Sequence, residues 1–329
     1  MPKAAKPLED NDQSRDKPSL QATIDALRGH SEGVFNSIIY YGLSDLSTSD
    51  IESLKSAWNS LDAELKAQLL RALGEASEAN FDLEYRAIGM LSLADADPQV
   101  REAAIETLWS DESLDLLSKL IELAEWDESP SVRAAAASNL GRFILLGEYG
   151  DIPERDAARA QETVINLLLD SDEEIEVRRR ALEAIANSSH EIVDTAITEA
   201  YEGDDRLMKV SAIFAMGRTC DPQWAEQILR EMSSPDAEMR YEAARAAGEL
   251  ELQEAVGLLG RLAAQGDLET RYAAIWSLGE IGGRDALRTL TVLAESVREE
   301  QDEDLADAID EAIGNASLPG RDLMYDDES

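Results

Sequence analysis

The stretch "EMRYEAARAAGELE", residues 238–251, returns 31 residues later as "ETRYAAIWSLGEIG", residues 269–282. Four earlier segments share the pattern: "DPQVREAAIETLW" from Asp97, "SPSVRAAAASNLG" from Ser129, "EIEVRRRALEAIA" from Glu174 and "DRLMKVSAIFAMG" from Asp205. In register, the basic residue falls at Arg101, Arg133, Arg178, Lys209, Arg240 and Arg271, and the last three intervals are 31 residues each. Self-similarity at this period marks a stack of helical units. Three residues beyond the basic position every copy has alanine: Ala104, Ala136, Ala181, Ala212, Ala243 and Ala274. Four positions further stand Leu108, Leu140, Ile185, Met216, Ala247 and Leu278. A spacing of four puts both sets on one helical face. An alanine in every copy predicts that another helix approaches closer than leucine would permit.

Between the copies lies another amphipathic helix, for example "SLDLLSKLIELAEW" (113–126) or "QETVINLLLDSD" (161–172). Each unit is thus a helix pair, with Gly141, Gly217, Gly248 and Gly279 near the ends of the second helices. One pair cannot cover its own apolar face, so the pairs must stack. The expected fold is an all-α solenoid of about seven to eight helix pairs.

The turn Asp or Pro, the "VR" pair, the alanine and the closing "LG" resemble HEAT repeats, particularly the short bacterial type also seen in phycobilisome lyase-like proteins. The resemblance implies a right-handed α-α superhelix whose second helices line the concave surface. It also implies an internal ladder between the turn Asp and the Arg six residues later, which Asp95/Arg101, Asp127/Arg133 and Asp172/Arg178 fit. The last three copies carry Gly203, Ser234 and Gln265 at the Asp position, so the ladder is not expected there. The repeats span residues 80–283 clearly, and the pattern extends from "LKAQLLRALG" (65–74) through "LADAIDEAIG" (305–314).

The interval of 45 between Arg133 and Arg178 marks an insertion, and "GEYGDIPERD" (147–156) reads as its loop. Residues 1–18, polar and containing three prolines, read as disordered. Residues 19–79 read as an atypical N-terminal helical cap, with N-cap signals at Ser49 or Asp50 and at Ser60. Residues 284–317 read as a C-terminal capping helix pair, and 318–329 as an acidic tail.

Composition fits this outline. Of 329 residues 44% are hydrophobic but only 5% aromatic, which suits closely packed helices better than a sheet. Against 69 acidic residues stand 30 basic ones, a net charge of −39. Such a field repels phosphate backbones and anionic membrane surfaces, so neither nucleic acid nor membrane is an expected partner. Solubility or adaptation to salt is the plain reading of the same charge. A single cysteine, Cys220, excludes an intramolecular disulfide. The opening residues lack an apolar core of the kind a signal peptide has, and no run of about 20 apolar residues occurs, so the expected location is cytoplasmic.

Function is sought on the outward positions of the second helices, two and six residues after the first core residue. The first three copies hold Glu102 and Glu106, Ala134 and Ser138, and Arg179 and Glu183 there. The last three hold Val210 and Phe214, Tyr241 and Arg245, and Tyr272 and Trp276. With Arg218 beside them, these predict an aromatic and arginine stripe of the composition found at interface hot spots. The competing expectation is that the rings fill grooves between adjacent repeats. The resulting function is a non-catalytic scaffold or adaptor holding a protein partner. An acidic clamp for a basic protein surface is the second reading, and a tetrapyrrole lyase-like or chaperone-like role is what the resemblance alone would add.

Catalytic and metal readings find little support. Deoxyhypusine hydroxylase is a HEAT-repeat di-iron enzyme with several His-Glu motifs, whereas this chain has one, His190–Glu191, and His30 precedes Ser31. His190 reads as a helix-start residue. Cys220 has no nearby histidine to activate it. The acidic runs "DSDEE" (170–174) and "EEQDEDLAD" (299–307) lack the glycine and terminal glutamate of a calcium loop. No cofactor or metal is expected.

Overall fold

The computed structural model describes residues 17–30, 35–300 and 302–317, and is divided into two compact units, Met1–Phe143 and Ile144–Ser329. The expected disordered segment and acidic tail lie outside the described residues, apart from Lys17 and Pro18.

The first unit holds α1 (Leu20–Gly29), α2 (Ser37–Leu43), α3 (Thr48–Trp58), α4 (Ala63–Ala79), α5 (Arg86–Ser92), α6 (Pro98–Thr107) and α7 (Leu114–Trp126). Helix α8 (Pro130–Tyr149) begins in the first unit and ends in the second. The second unit continues with α9 (Glu154–Leu169), α10 (Ile175–Ile185), α11 (Ile192–Glu202), α12 (Arg206–Arg218), α13 (Ala225–Glu231), α14 (Ala237–Glu249), α15 (Val256–Gln265), α16 (Leu268–Ile281), α17 (Gly283–Glu300) and α18 (Glu303–Ala316). Among the described residues there is no strand, and the fold is an all-α solenoid.

The six pattern alanines are fully buried, and so are the core residues four positions on. Second helices pack on one another within each unit, as with α4 on α6 and α10 on α12 on α14 on α16 on α18. The aspartates that open four copies are N-caps: Asp97, Asp205, Asp236 and Asp267 accept from backbone amides in the first turns of α6, α12, α14 and α16. Each satisfies an amide that the helix itself leaves unpaired. Further upstream, α3 is capped by Ser47 rather than by Ser49 or Asp50, with Asp50 completing the capping box from inside the helix, and α4 is capped by Asp62 rather than by Ser60. The serine that fits is the one three residues before an acid able to reach back.

Close approach is built at the closing glycines. A Cβ on Gly248 would lie 2.8 Å from the Ser277 Cα, and one on Gly217 would lie 2.9 Å from the Ala246 Cα. The Ser277 hydroxyl donates to the Ala244 carbonyl across the same interface at 2.7 Å. Thr107 repeats the device in the first unit, donating to the Leu70 carbonyl at 2.9 Å beside Gly74.

The inter-repeat ladder is present but wired differently from the expectation. Arg101 donates to the Asp95 carbonyl, not its carboxylate, and Arg133 to the Asp127 carbonyl, each bracing its own turn. The carboxylates bind the preceding repeat: Lys66 to Asp95 at 2.7 Å and Arg101 to Asp127 through two bonds of 2.6 and 2.7 Å. Arg178 instead donates to the Leu168 carbonyl. In the last copies, where the turn Asp is missing, the N-cap aspartates take over, Arg206 binding Asp236 and Arg240 binding Asp267. Lys209 binds Glu231 at 3.1 Å. An N-cap oxygen already faces the edge along which the preceding repeat's arginine runs, so the link survives loss of the turn Asp. Helix α4 therefore behaves as a full repeat member, carrying the ladder cation Lys66, rather than only as part of a cap.

The insertion is also mostly helical, which corrects the expected loop at 147–156. Helix α8 extends to Tyr149 and α9 starts at Glu154, leaving 150–153 as the connection. Gly147 permits it: a Cβ there would fall 2.3 Å from that of Ala157.

Candidate functional site

The outward row of the second unit runs along α10, α12, α14 and α16. Val210 does not belong to its surface. It is only 1% exposed, because α12 is flanked by α10 on one side and α14 on the other. Ala134 and Arg179, at the same position in their helices, are buried too. Of the rest of the stripe, Trp276 is 41% exposed, while Phe214 and Arg245 are half-buried. Tyr241 and Tyr272 are half-buried as well. The Tyr272 hydroxyl is held above its usual range by partial burial and by Asp302 and Asp304 at the start of α18.

Phe214 lies under two guanidinium groups, Arg218 at 5.2 Å and Arg245 at 5.7 Å from its ring centre. Both arginines also bind Glu249, at 3.7 and 3.0 Å. Gly217 admits Glu249, whose carboxylate would meet a Cβ there at 2.6 Å. The ring is thus an anchor for arginines that are tied to an acid, an arrangement that favours cation–π contact.

A polar network on the neighbouring helices adjoins this cluster. Arg179, Glu183 and Ser211 are buried. Arg179 donates to the Ser211 hydroxyl at 3.0 Å, and that hydroxyl donates to Glu183 at 2.5 Å. Arg180 bridges Glu176 and Glu183 at 2.9 and 2.8 Å. Glu242 on α14 is the exception. Its Oε2 is buried and has no hydrogen-bond partner. Burial pushes its carboxyl up to about 7; Arg245 opposes the shift, while Glu183, Glu249 and Glu238 add to it. In the sequence, Arg179 and Glu183 stand out only as outward positions, and no motif distinguishes Glu242 at all.

Among the described residues, no three His, Cys, Asp or Glu side chains converge as metal ligands would. His190 sits just before α11, where its Nδ1 accepts from the Ile192 amide. Cys220 is exposed on the turn after α12, in the left-handed backbone region. Two aromatics that the stripe did not include stand out in the first unit, Phe81 at 86% and Trp126 at 78% exposure. Trp126 borders a cavity of about 500 Å³ beside the Arg101–Asp127 pair, and Phe81 one of about 310 Å³ with Tyr85 and Trp109.

The profile of HEAT repeats matches residues 87–159, 117–217 and 222–314, more than half of the chain. The chain is a HEAT-repeat protein. Among solved structures, this HEAT-repeat protein is similar to importin beta at 14% identity and a TM-score of 0.45, covering 90% of this chain. It spans 46% of the importin beta chain, about half that length. It is also similar to human deoxyhypusine hydroxylase, at 16% identity and a TM-score of 0.35, over 82% of this chain and 96% of that one. An engineered protein matches at 19% identity and a TM-score of 0.39, over 61% and 96% of the two chains. These likenesses concern the fold alone. No curated protein matches the sequence. HEAT solenoids commonly serve as scaffolds for protein interaction, and the fold is typically non-catalytic. No described helix of this HEAT-repeat protein is long and apolar enough to cross a membrane.

Proposed function

We propose that the protein is a non-catalytic scaffold whose second unit holds a protein partner along Phe214, Arg218, Tyr241, Arg245, Tyr272 and Trp276. The observation that carries this reading is the accessible part of the stripe: Trp276 41% exposed, Tyr241 and Tyr272 half-buried, and Phe214 flanked by two arginines. Aromatic rings and arginines together are what interface hot spots are made of. On spacing and on the alanine of the second helices, we assign the repeats to the short bacterial type carried by phycobilisome lyase-like proteins, as a matter of repeat type and not of bilin chemistry.

The test is affinity capture from native lysate, comparing the natural chain with a Tyr241→Ser, Tyr272→Ser, Trp276→Ser variant and checking both by circular dichroism. Phe214 is left in place because its arginines and Glu249 depend on it. With a hot-spot ring worth about 1–2 kcal/mol or more on truncation, loss of three lowers affinity by roughly 100-fold or more. The expected result is a variant that keeps its helicity and melting temperature but releases a specific protein. Early melting of the variant, or undiminished capture, sinks the reading. The charge of −39 favours a second reading, an acidic clamp for a basic surface. In that case capture weakens steeply with salt, since exposed charges are screened beyond about 8 Å at physiological ionic strength, and is indifferent to the rings.

A further inference from the structure

We propose that proton binding at Glu242 decides whether Arg245 covers Phe214, which makes the partner face of the second unit pH-responsive; this regulation rests on the partner-binding reading above. On α14, Glu238, Glu242, Arg245 and Glu249 follow at spacings of four, three and four, so they form one stripe along a single helix. The stripe is unevenly matched. Glu249 receives two arginines, Arg245 and Arg218, while the buried Oε2 of Glu242 receives none.

With its proton in place Glu242 is neutral, and an unmatched oxygen is tolerable. Without the proton, a buried carboxylate faces Glu183 from α10 and Glu238 and Glu249 from its own helix, all repelling it. The other cations nearby are committed. From α10, Arg179 and Arg180 are bound to Glu176 and Glu183. From α12, Arg206 is bound to Asp236 and Glu238, and Arg218 to Glu249. From α13, Arg230 binds Glu226, and Glu231 is taken by Lys209 and Tyr201. From α16, Arg271 reaches the Ala263 carbonyl, Tyr272 faces Asp302 and Asp304, and Ser277 binds Ala244.

Arg245 is the cation that already acts on Glu242, and it lies one turn away on the same stripe. Drawing it back from Glu249 leaves that acid with Arg218, so no second charge is stranded. It also removes one of the two guanidinium groups over Phe214. The carboxyl titrates at about 7, which places the change near neutral pH. Raising the pH is therefore the direction that opens the ring.

The test needs no partner. In the full-length protein, the Arg245 Nε–Hε and Phe214 ring signals are followed by NMR from pH 5.5 to 8.5, alongside a Glu242→Gln variant. Both wild-type signals are expected to shift in a single transition with a midpoint near 7, and both are expected to stay at their low-pH positions in the variant. Signals that remain flat in the wild type, or a transition that persists in Glu242→Gln, overturn the inference. Circular dichroism at each pH separates a local rearrangement from unfolding, and loss of helix across the transition also counts against it. The outcome is independent of the capture experiment: a stripe that binds nothing leaves this titration unchanged, and a flat titration leaves the binding test intact.

Discussion

Replacing Gly248 with leucine is expected to lower the unfolding free energy of the second unit by about 3 kcal/mol, the upper part of the range for inserting bulk into a packed core. A Cβ at this position would already stand 2.6 Å from the Ser277 hydroxyl oxygen and 2.8 Å from the Ser277 Cα and Cβ. The obstacle is partly backbone, so no rotamer change relieves it. Helices α14 and α16 must separate, and the Ser277 bond to Ala244 breaks as they do. Gly257 on α15 supplies the control, because a Cβ there meets nothing within 4 Å. Gly257→Ala is expected to gain about 0.5–1 kcal/mol from helix propensity. Urea titrations of both variants read the contrast, and equal, small effects would show that α14 and α16 are not in close contact.

Glu242→Gln is expected to stabilise the protein by about 3 kcal/mol at pH 8 and by less than about 1 kcal/mol at pH 5, since each tenfold change in proton affinity is worth about 1.36 kcal/mol. The sign follows from the raised carboxyl, which ordinarily titrates at 4.5 and here at about 7. Below 4.5 the folded and unfolded chains both hold the proton, and the substitution changes little. As pH rises, the unfolded chain ionises first, so the wild type loses stability until the folded carboxyl also ionises near 7, and the difference is constant above that. Urea midpoints of the two proteins at pH 5 and 8 measure it. A gain of the same size at both values would mean that burial does not raise this carboxyl.

The repeat was legible because helix packing imposes a period on residue size. Buried alanines at a spacing of 31 leave few alternatives to stacked helices, and every one of them is in the core. The ladder was half legible. The arginines were visible, but a side chain can reach its own turn or the next one, and sequence spacing does not distinguish the carbonyl of Asp95 from the carboxylate of Asp127 as the target of Arg101. The insertion misled because "GEYGDIP" contains turn residues, yet Gly147 serves helix contact and only 150–153 connects the helices. Val210 faces outward on an isolated helix, but the flanking second helices cover it, and that burial is not written in the spacing along one helix. Glu242 could not be singled out, since it is one acid among 69 and becomes unusual only through burial created by its neighbours.

The way the last repeats are tied together bears on how such a chain can change in length. Arg240 lies 27 residues before the Asp267 it binds, and Lys209 occupies the same place one copy earlier. Excising residues 210–240, one period of 31, would leave Lys209 27 residues ahead of Asp267 and join "DRLMK" directly to "YEAARAAGE". The shortened gene would encode an intact helix with a cation still opposite its acid. Unequal recombination between neighbouring copies can therefore add or delete a whole repeat without stranding a charge at the junction, so copy number is a quantity on which selection can act.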